Sequence, residues 1–310
     1  MDQIALIIPC YNEETTIGRV IDDFKAVLPE VAVYVCDNRS DDNTANVARA
    51  HGAVVLQEKR PGKGYAVRRL FQAVPARAYL LVDGDRTYPA SSAPELLAPV
   101  LSGAADMTVG DRLHGGVYAS ENKRPLHNTG NKLVRWLVNR LYGAQLGDIM
   151  SGYRAFSRRF VKSMPVMSPG FELETEMTLH ALYKRMSILE IPVAYRDRPV
   201  GSVSKLNTMR DGFRVIRTII TVFRDYKPLL FFSALAFLFL ALGLALGIPV
   251  VIEFTRTHLV ERMPSAMLAV GLVISALLLF CCGLILDTIG RNNRKQFELL
   301  ANLLSEGGER

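Results

Sequence analysis

Two uncharged apolar runs, Leu229 to Ile252 and Ala266 to Leu286, constrain this chain more than any other feature in it. The hydrocarbon core of a bilayer takes about 20 apolar helical residues, and both runs are long enough. Each is apolar all round the helix and the two are adjacent, which speaks against a pair of buried core helices and for two membrane spans. Neither has the position of a signal peptide. Gly243, Gly247 and Pro249 are tolerated inside such helices, and the two glycines have a spacing that lets helices pack closely. Arg224 and Lys227 precede the first run, and Arg291, Arg294 and Lys295 follow the second. In the connector, Arg256 and Arg262 are balanced by Glu253 and Glu261. The excess of basic residues on the outer flanks puts both ends, and everything before the first run, in the cytoplasm.

Before Lys227 the texture is that of a soluble α/β protein. The chain has 310 residues, 49% of them hydrophobic, with a net charge of +7, and that length suits one domain of roughly 200 residues plus something smaller. The basic excess gathers beside the spans, which favours membrane lipids over nucleic acid as a partner. Cys10 and Cys36 fall in apolar runs and Cys281 and Cys282 in the second span. None has disulfide or zinc-ligand spacing, so they read as small apolar fillers in a reducing compartment. The expected division is 1–206 as the main domain, 207–228 as a linking helix, 229–290 as the two-helix anchor and 291–310 as a short amphipathic or frayed tail.

Strand and helix signals alternate through the main domain. Ile4–Ile8, Val31–Val35, Val54–Leu56, Tyr79–Val82 and Met107–Val109 are short apolar runs, with helical periodicity over Glu14–Val27 and Asp41–Ala50. This rhythm predicts a mostly parallel sheet covered on both faces. Ligands of such sheets sit beyond the carboxyl ends of the strands. In the linking segment Met209, Phe213, Ile216, Ile220 and Phe223 recur at helical spacing, with Arg210, Arg214, Arg217 and Arg224 on another face. A basic amphipathic helix just before a span is expected to lie in the headgroup plane; packing on the main domain with a solvated basic face is the alternative.

Polar residues follow three of the strands: Pro9-Cys10-Tyr11-Asn12-Glu13-Glu14, Asp37-Asn38-Arg39-Ser40-Asp41-Asp42-Asn43-Thr44 and Asp83-Gly84-Asp85. Two carboxylates one residue apart on a turn can reach one hard divalent cation, which keeps phosphate oxygens and waters in its other positions. Such a cation neutralises charge on a departing diphosphate. A lone Asp-x-Asp is common; its place behind the two other clusters makes this one informative.

With Gly62-Lys63-Gly64, Gly110-Asp111-Arg112, Asp148-Ile149-Met150-Ser151-Gly152-Tyr153-Arg154, Gly170 to Glu176 and Arg198 to Lys205, these segments form an ordered set. The chain resembles the inverting family 2 glycosyltransferases of the GT-A fold, and within them the polyprenyl-phosphate sugar synthases of the dolichyl-phosphate mannose and glucose type. The resemblance runs from Ile4 to about Leu206 and extends to the two-span tail. It implies an α/β, Rossmann-like catalytic domain with a mostly parallel sheet, followed by an interfacial helix and two transmembrane helices. It also implies a nucleotide-sugar donor and a polyprenyl phosphate acceptor. Pro9, Tyr11, Asn12, Glu13, Asp37, Asn38, Lys63, Asp83, Gly84 and Asp85 would line the donor site. Asp83 and Asp85 would hold Mg2+ or Mn2+, and Arg112, Arg124, Asn128, Arg198, Ser204 and Lys205 would bind the acceptor phosphate. Asp148 would lie near the sugar and orient it; with Asp83, Asp85 and Arg124 it makes up the expected catalytic set. This sequence departs from the family pattern at Asn38, where an Asp is frequent, at Arg86, where a small residue is usual, and at Asn128, where some members carry Ser.

The chemistry holds together on its own terms. A lipid phosphate oxygen is already ionised at neutral pH, so alignment and charge neutralisation can do the work without a strong base. Guanidinium groups suit phosphate because they grip its oxygens in a fixed fork. A single in-line displacement gives a β-linked product from an α-linked donor. UDP-glucose or UDP-N-acetylglucosamine is the favoured donor type, GDP-mannose the alternative, and a glycolipid or lipid-linked oligosaccharide the alternative acceptor. Other signals remain open or point to structure. Lys63 either reaches the donor or sits in a turn before a helix, since the full phosphate-loop spacing is absent. Glu172, Glu174 and Glu176 either shape the acceptor site or suit a helix N-terminus. Leu133-Val134-Arg135-Trp136 lacks the Gln of a processive synthase motif, so Trp136 is expected to pack against its helix's neighbours. The five histidines have no ligand spacing. A non-catalytic membrane scaffold and a homo-oligomer or small membrane partner complete the alternatives.

Overall fold

The computed structural model describes residues 2–113, 125–170, 172–194, 220–221 and 223–306. The helix expected over 207–228 falls mostly outside them. In contact terms the chain divides into Met1–Val215 and Ile216–Arg310.

In the first unit the strand–helix rhythm becomes a seven-stranded sheet. Its elements run β1 (Asp2–Cys10), α1 (Ile17–Val27), β2 (Ala32–Asp37), α2 (Thr44–Ala50), β3 (Val54–Gln57), α3 (Lys63–Ala73), β4 (Ala76–Leu81), α4 (Ala93–Leu101) and β5 (Met107–Asp111). They continue with α5 (Pro125–Tyr142), β6 (Arg154–Ser157), α6 (Arg158–Ser163), α7 (Leu173–Tyr183) and β7 (Ile188–Pro192). The strand order is β3-β2-β1-β4-β6-β5-β7, with β6 antiparallel to both neighbours and the other pairs parallel.

Period-2 alternation in β1 sends Leu6 and Ile8 to the face covered by α1 and α4, where Ile17, Val20, Ile21 and Phe24 recur at helical spacing. On the other face α3 packs over β1 and β2, and Phe71 meets Phe156 edge-on at 5.6 Å. The mostly parallel sheet is as expected. β6 and β7 are additions to the sequence reading. The first begins with the fully buried Arg154, and a charged residue hides a strand from any hydrophobic pattern. The second carries Glu190 at its centre.

The second unit contains α8 (Pro228–Thr257) and α9 (Met263–Glu306). Both are long and apolar enough to cross a membrane. Their side chains are not those of a soluble core: Phe237 is 72% exposed and Met267 70%. Gly243 and Gly247 pack the two helices together within the chain. A Cβ on Gly243 would lie 3.2 Å from the Ala269 carbonyl oxygen, and one on Gly247 3.3 Å from the Ala269 Cβ. The segment after Asn293 is not a separate short helix but the continuation of α9. No proline interrupts it, and Arg291 pairs with Asp287 one turn back at 3.2 Å.

Trp136 corrects a second expectation. α5 buries Val134 and Val138, whereas Trp136 is 61% exposed and Leu133 48%. The helix packs by its valine face and turns the indole outward.

Candidate active site

The carboxyl ends of β1, β2 and β4 are laced into one rim. After β1 the backbone turns at Asn12, whose φ of 54° is a left-handed value that asparagine tolerates. Asn12 N–H donates to Ser40 Oγ at 3.0 Å, and its Oδ1 accepts from Asp41 N at 2.8 Å. Glu13 N–H donates to Thr44 Oγ1 at 2.8 Å. Thr16 Oγ1 donates to the Gly84 carbonyl at 2.7 Å, tying the β1 turn to the β4 turn. Gly84 is required there, because a Cβ would stand 2.8 Å from Cys10 Sγ. Pro9 is buried within β1 opposite Cys36, and Tyr11 is 41% exposed at the mouth. Asp37 is buried and accepts from Ser40 N at 3.1 Å.

Asn38 explains its own departure from the family pattern. Its buried amide donates to the carbonyls of Glu58 (3.1 Å) and Arg60 (2.7 Å), and its Oδ1 accepts from Gly62 N at 2.7 Å. A carboxylate could not donate to either carbonyl. Arg86, the other departure, has φ 63° and sends its guanidinium to Asp23 on α1 at 3.2 Å.

Below the rim, Lys63 Nζ stands between Asp83 Oδ1 at 2.6 Å and Glu174 Oε1 at 2.7 Å. Burial alone would drive this ammonium down. The two carboxylates and their hydrogen bonds overturn that and hold it well above the ordinary lysine value. The flanking glycines let the lysine reach this place. Cβ atoms on Gly62 and Gly64 would collide with the carbonyl oxygens of Pro169 and Ser168, and Gly64 N–H donates to Pro169 O at 3.0 Å. Glu176 holds the same loop by accepting from Met167 N and Ser168 N at 2.9 and 2.8 Å. The turn and the charge contact are therefore both present at Lys63. Among the described residues, the buried Glu174 Oε2 has no hydrogen-bond partner.

Arg112 and Asp148 meet as a two-pronged pair, Nε to Oδ2 at 2.6 Å and Nη2 to Oδ1 at 3.0 Å. Glu190 fixes the approach to Asp148 by accepting from the amides of Gly147 (2.7 Å) and Asp148 (2.9 Å). Beneath them Arg154 donates to the carbonyls of Ser151 (2.8 Å) and Ile149 (2.7 Å) and to Thr178 Oγ1 (2.9 Å). Burial pushes this guanidinium down to about 10. Arg154 thus organises the 149–151 loop from inside the sheet.

The donor set of the Asp83–Gly84–Asp85 turn suits a hard divalent cation. Asp83 is partly exposed, and a Cβ on Gly152 would stand 2.7 Å from its Oδ2, so the absent side chain leaves that carboxylate oxygen approachable. Asp85 is 5% exposed, and its Oδ1 accepts from Thr87 N at 3.2 Å and Thr87 Oγ1 at 2.7 Å, which fixes its rotamer. Among the described residues no three His, Cys, Asp or Glu side chains form a closed cage. Asp83 and Asp85 are the residues that would hold such a cation, leaving its other positions to non-protein ligands.

The structure thus brings Tyr11, Asn12, Glu13, Asp37, Asn38, Lys63, Asp83, Gly84 and Asp85 to neighbouring turns, and joins Arg112 to Asp148. Arg124, Arg198, Ser204 and Lys205 lie outside the described residues. Asn128 is in the first turn of α5, its side chain outside those described. Sequence reasoning missed the Lys63–Glu174 contact, the cradle at Gly152 and the buried Arg154. The first two join segments far apart in the sequence, and the third is a charge inside a strand.

The glycosyl transferase family 2 profile matches residues 5–164. Glycosyltransferase AglJ of Haloferax volcanii is 30% identical over 308 residues, covering 97% of this chain and 98% of its own. Dolichyl-phosphate hexose transferase of the same archaeon is 29% identical over 221 residues, 71% of this chain and 94% of that protein. Among solved structures, glucosyl-3-phosphoglycerate synthase from Mycobacterium tuberculosis in complex with phosphoglyceric acid superposes with a TM-score of 0.56 at 25% identity. It covers 72% of this chain and 79% of that one. A further crystal structure of that synthase, with Mn2+, uridine diphosphate and glucosyl-3-phosphoglycerate, is alike in fold at 24% identity and a TM-score of 0.56.

Proposed function

The chain belongs to glycosyl transferase family 2, and from that premise we propose that it moves a sugar from a nucleotide-sugar onto a polyprenyl phosphate at the cytoplasmic membrane face. The observation that carries this is the pairing, in one chain, of a laced polar rim at three strand ends with two helices apolar enough to cross a bilayer. The relative named as a dolichyl-phosphate hexose transferase supports the same acceptor class. A UDP-sugar of glucose or N-acetylglucosamine type is the donor we favour. Two spans would put both chain ends on one side of the membrane, and the basic flanks support the cytoplasmic side, toward anionic lipid.

In this mechanism the rim from Pro9 to Glu13, with Asp37 and Asn38, receives the base and ribose. Lys63, Asp83 and Asp85 face the diphosphate and the sugar next to it. A Mg2+ or Mn2+ ion held by Asp83 and Asp85 would supply neutralisation of the charge that builds on the departing diphosphate. Asp148 holds the Arg112 guanidinium by two hydrogen bonds, so it positions a phosphate-binding group and takes no proton. Arg124, Asn128, Arg198, Ser204 and Lys205 complete the acceptor phosphate site. An ionised lipid phosphate oxygen attacks the anomeric carbon in line as the bond to the diphosphate oxygen breaks. The electron pair leaves with the nucleoside diphosphate, and the anomeric centre inverts.

The test is an incubation of detergent-purified protein with manganese, a short polyprenyl phosphate and a panel of radiolabelled nucleotide-sugars, followed by organic extraction. The expected result is an acid-labile labelled lipid from one UDP-sugar, lost in Asp85→Ala. A product from GDP-mannose would change the donor. No labelled lipid from any donor, with nucleotide binding intact, would overturn the acceptor.

A further inference from the structure

The outward face of α5 has a composition that no step of the proposed mechanism uses. At about 100° per residue, Trp136 stands about 180° round the helix from the midpoint of Val134 and Val138, the two buried side chains among those described in α5. Leu133 is exposed beside it, and Lys132 and Arg140, each one turn away, are exposed as well. The helix carries Lys132, Arg135 and Arg140 and no Asp or Glu. An indole and a leucine bordered by cations and free of acids are ill suited to water. They match the boundary of a bilayer, where tryptophan sits at headgroup depth and basic side chains meet anionic lipid.

We infer that the outer face of α5, centred on Trp136 with Leu133, Lys132 and Arg140, rests in the headgroup layer of an anionic membrane. The inference rests on the membrane anchoring proposed above and adds a contact made by the catalytic unit itself. α5 is also wired to the site. Arg135 Nη1 donates to Gly147 O at 2.8 Å, and Asn139 exchanges hydrogen bonds with Leu146, Nδ2 to O at 2.9 Å and N to Oδ1 at 3.1 Å. The next residue is Asp148, which holds Arg112. A helix seated on lipid therefore fixes the height of the 146–148 turn, and with it the Arg112 guanidinium, above the surface from which a lipid phosphate arrives.

Trp136 is the sole tryptophan of the chain, so its emission reports on this one position. The full chain is reconstituted into nanodiscs of phosphatidylglycerol and phosphatidylcholine, and quenching by lipids brominated near the headgroup is compared with quenching by aqueous iodide. On the inference, emission falls about twofold or more with brominated lipid and is sheltered from iodide. The lipid quenching weakens in pure phosphatidylcholine and in the Lys132→Glu, Arg140→Glu double variant. Free iodide quenching with indifference to brominated lipid would overturn it. Shelter from both quenchers would also overturn it, in favour of a second copy or a protein partner on this face. Failure of the chain to enter the discs would overturn it together with the anchoring. That outcome is distinct from a failed transfer assay, because no step of the fluorescence experiment depends on activity.

Discussion

Asn38 shows how much one atom decides at the rim. Its amide nitrogen donates to two backbone carbonyls of the segment from Glu58 to Arg60. Asn38→Asp replaces both bonds by repulsion and buries a charge, a cost of about 2–4 kcal/mol. The variant should melt earlier and bind nucleotide more weakly, as thermal unfolding and titration calorimetry would show; an unchanged melting point would refute the role. His180 makes a different residue-scale test. Burial, with Lys184 adding to it, pushes its imidazole down to about 4, and Phe160 packs edge-on against it at 5.5 Å. The unfolded chain therefore takes up the proton first as pH falls. Stability should drop from about pH 6.5 down to about 4, by on the order of 3 kcal/mol, and this contribution is flat below that range. His180→Leu should flatten that part of the pH profile of Tm; an unchanged slope would place the acid sensitivity elsewhere. Asn38 was legible as a site residue because it follows a strand end. Its loop-holding role was not, since the two carbonyls belong to a segment 20 residues on.

At the scale of elements, the start of α3 and the loop before α7 act as one joint. Gly64 passes so close to Ser168 that a Cβ would overlap its carbonyl oxygen, and Lys63 crosses the same joint to Asp83 and Glu174. Gly64→Ala must push the loop away from α3. The predicted consequence is a loss of donor affinity of about tenfold, roughly 1.4 kcal/mol, with the melting point falling less than in Asn38→Asp. Nucleotide binding at the native level in this variant would show that the joint does not hold the site. Helix periodicity located α1 well because Ile17, Val20, Ile21 and Phe24 present one apolar stripe to the sheet. It failed on α5 for a physical reason. The same pattern of leucine, valine and tryptophan is produced by a helix that buries every apolar side chain and by one that turns an indole outward.

For the whole molecule, α9 extends about 66 Å at 1.5 Å per residue, roughly twice the hydrocarbon thickness. A crossing by α9, as proposed, would bring its second half out on one side. With basic flanks at both outer ends, the connector is expected on the opposite side from both termini. Cys10 and Cys36 are buried in the sheet and Cys281 and Cys282 lie in the second apolar run, so a thiol added elsewhere can be read cleanly. Val260→Cys should react with a membrane-impermeant maleimide from outside intact cells, while a cysteine at Arg294 should react only after permeabilisation. The reverse pattern would invert the topology. What the sequence by itself determined was whatever is written in local composition: the apolar runs, the strand–helix alternation and the polar clusters at strand ends, since burial in lipid or in a sheet imposes a period on neighbouring residues. Only the tertiary structure decided that Lys63 bridges Asp83 and Glu174, that Asp148 is bound to Arg112, that Arg154 lies inside the sheet and that Trp136 faces outward. Each of those depends on which segments the strand order brings together, and no local pattern encodes that.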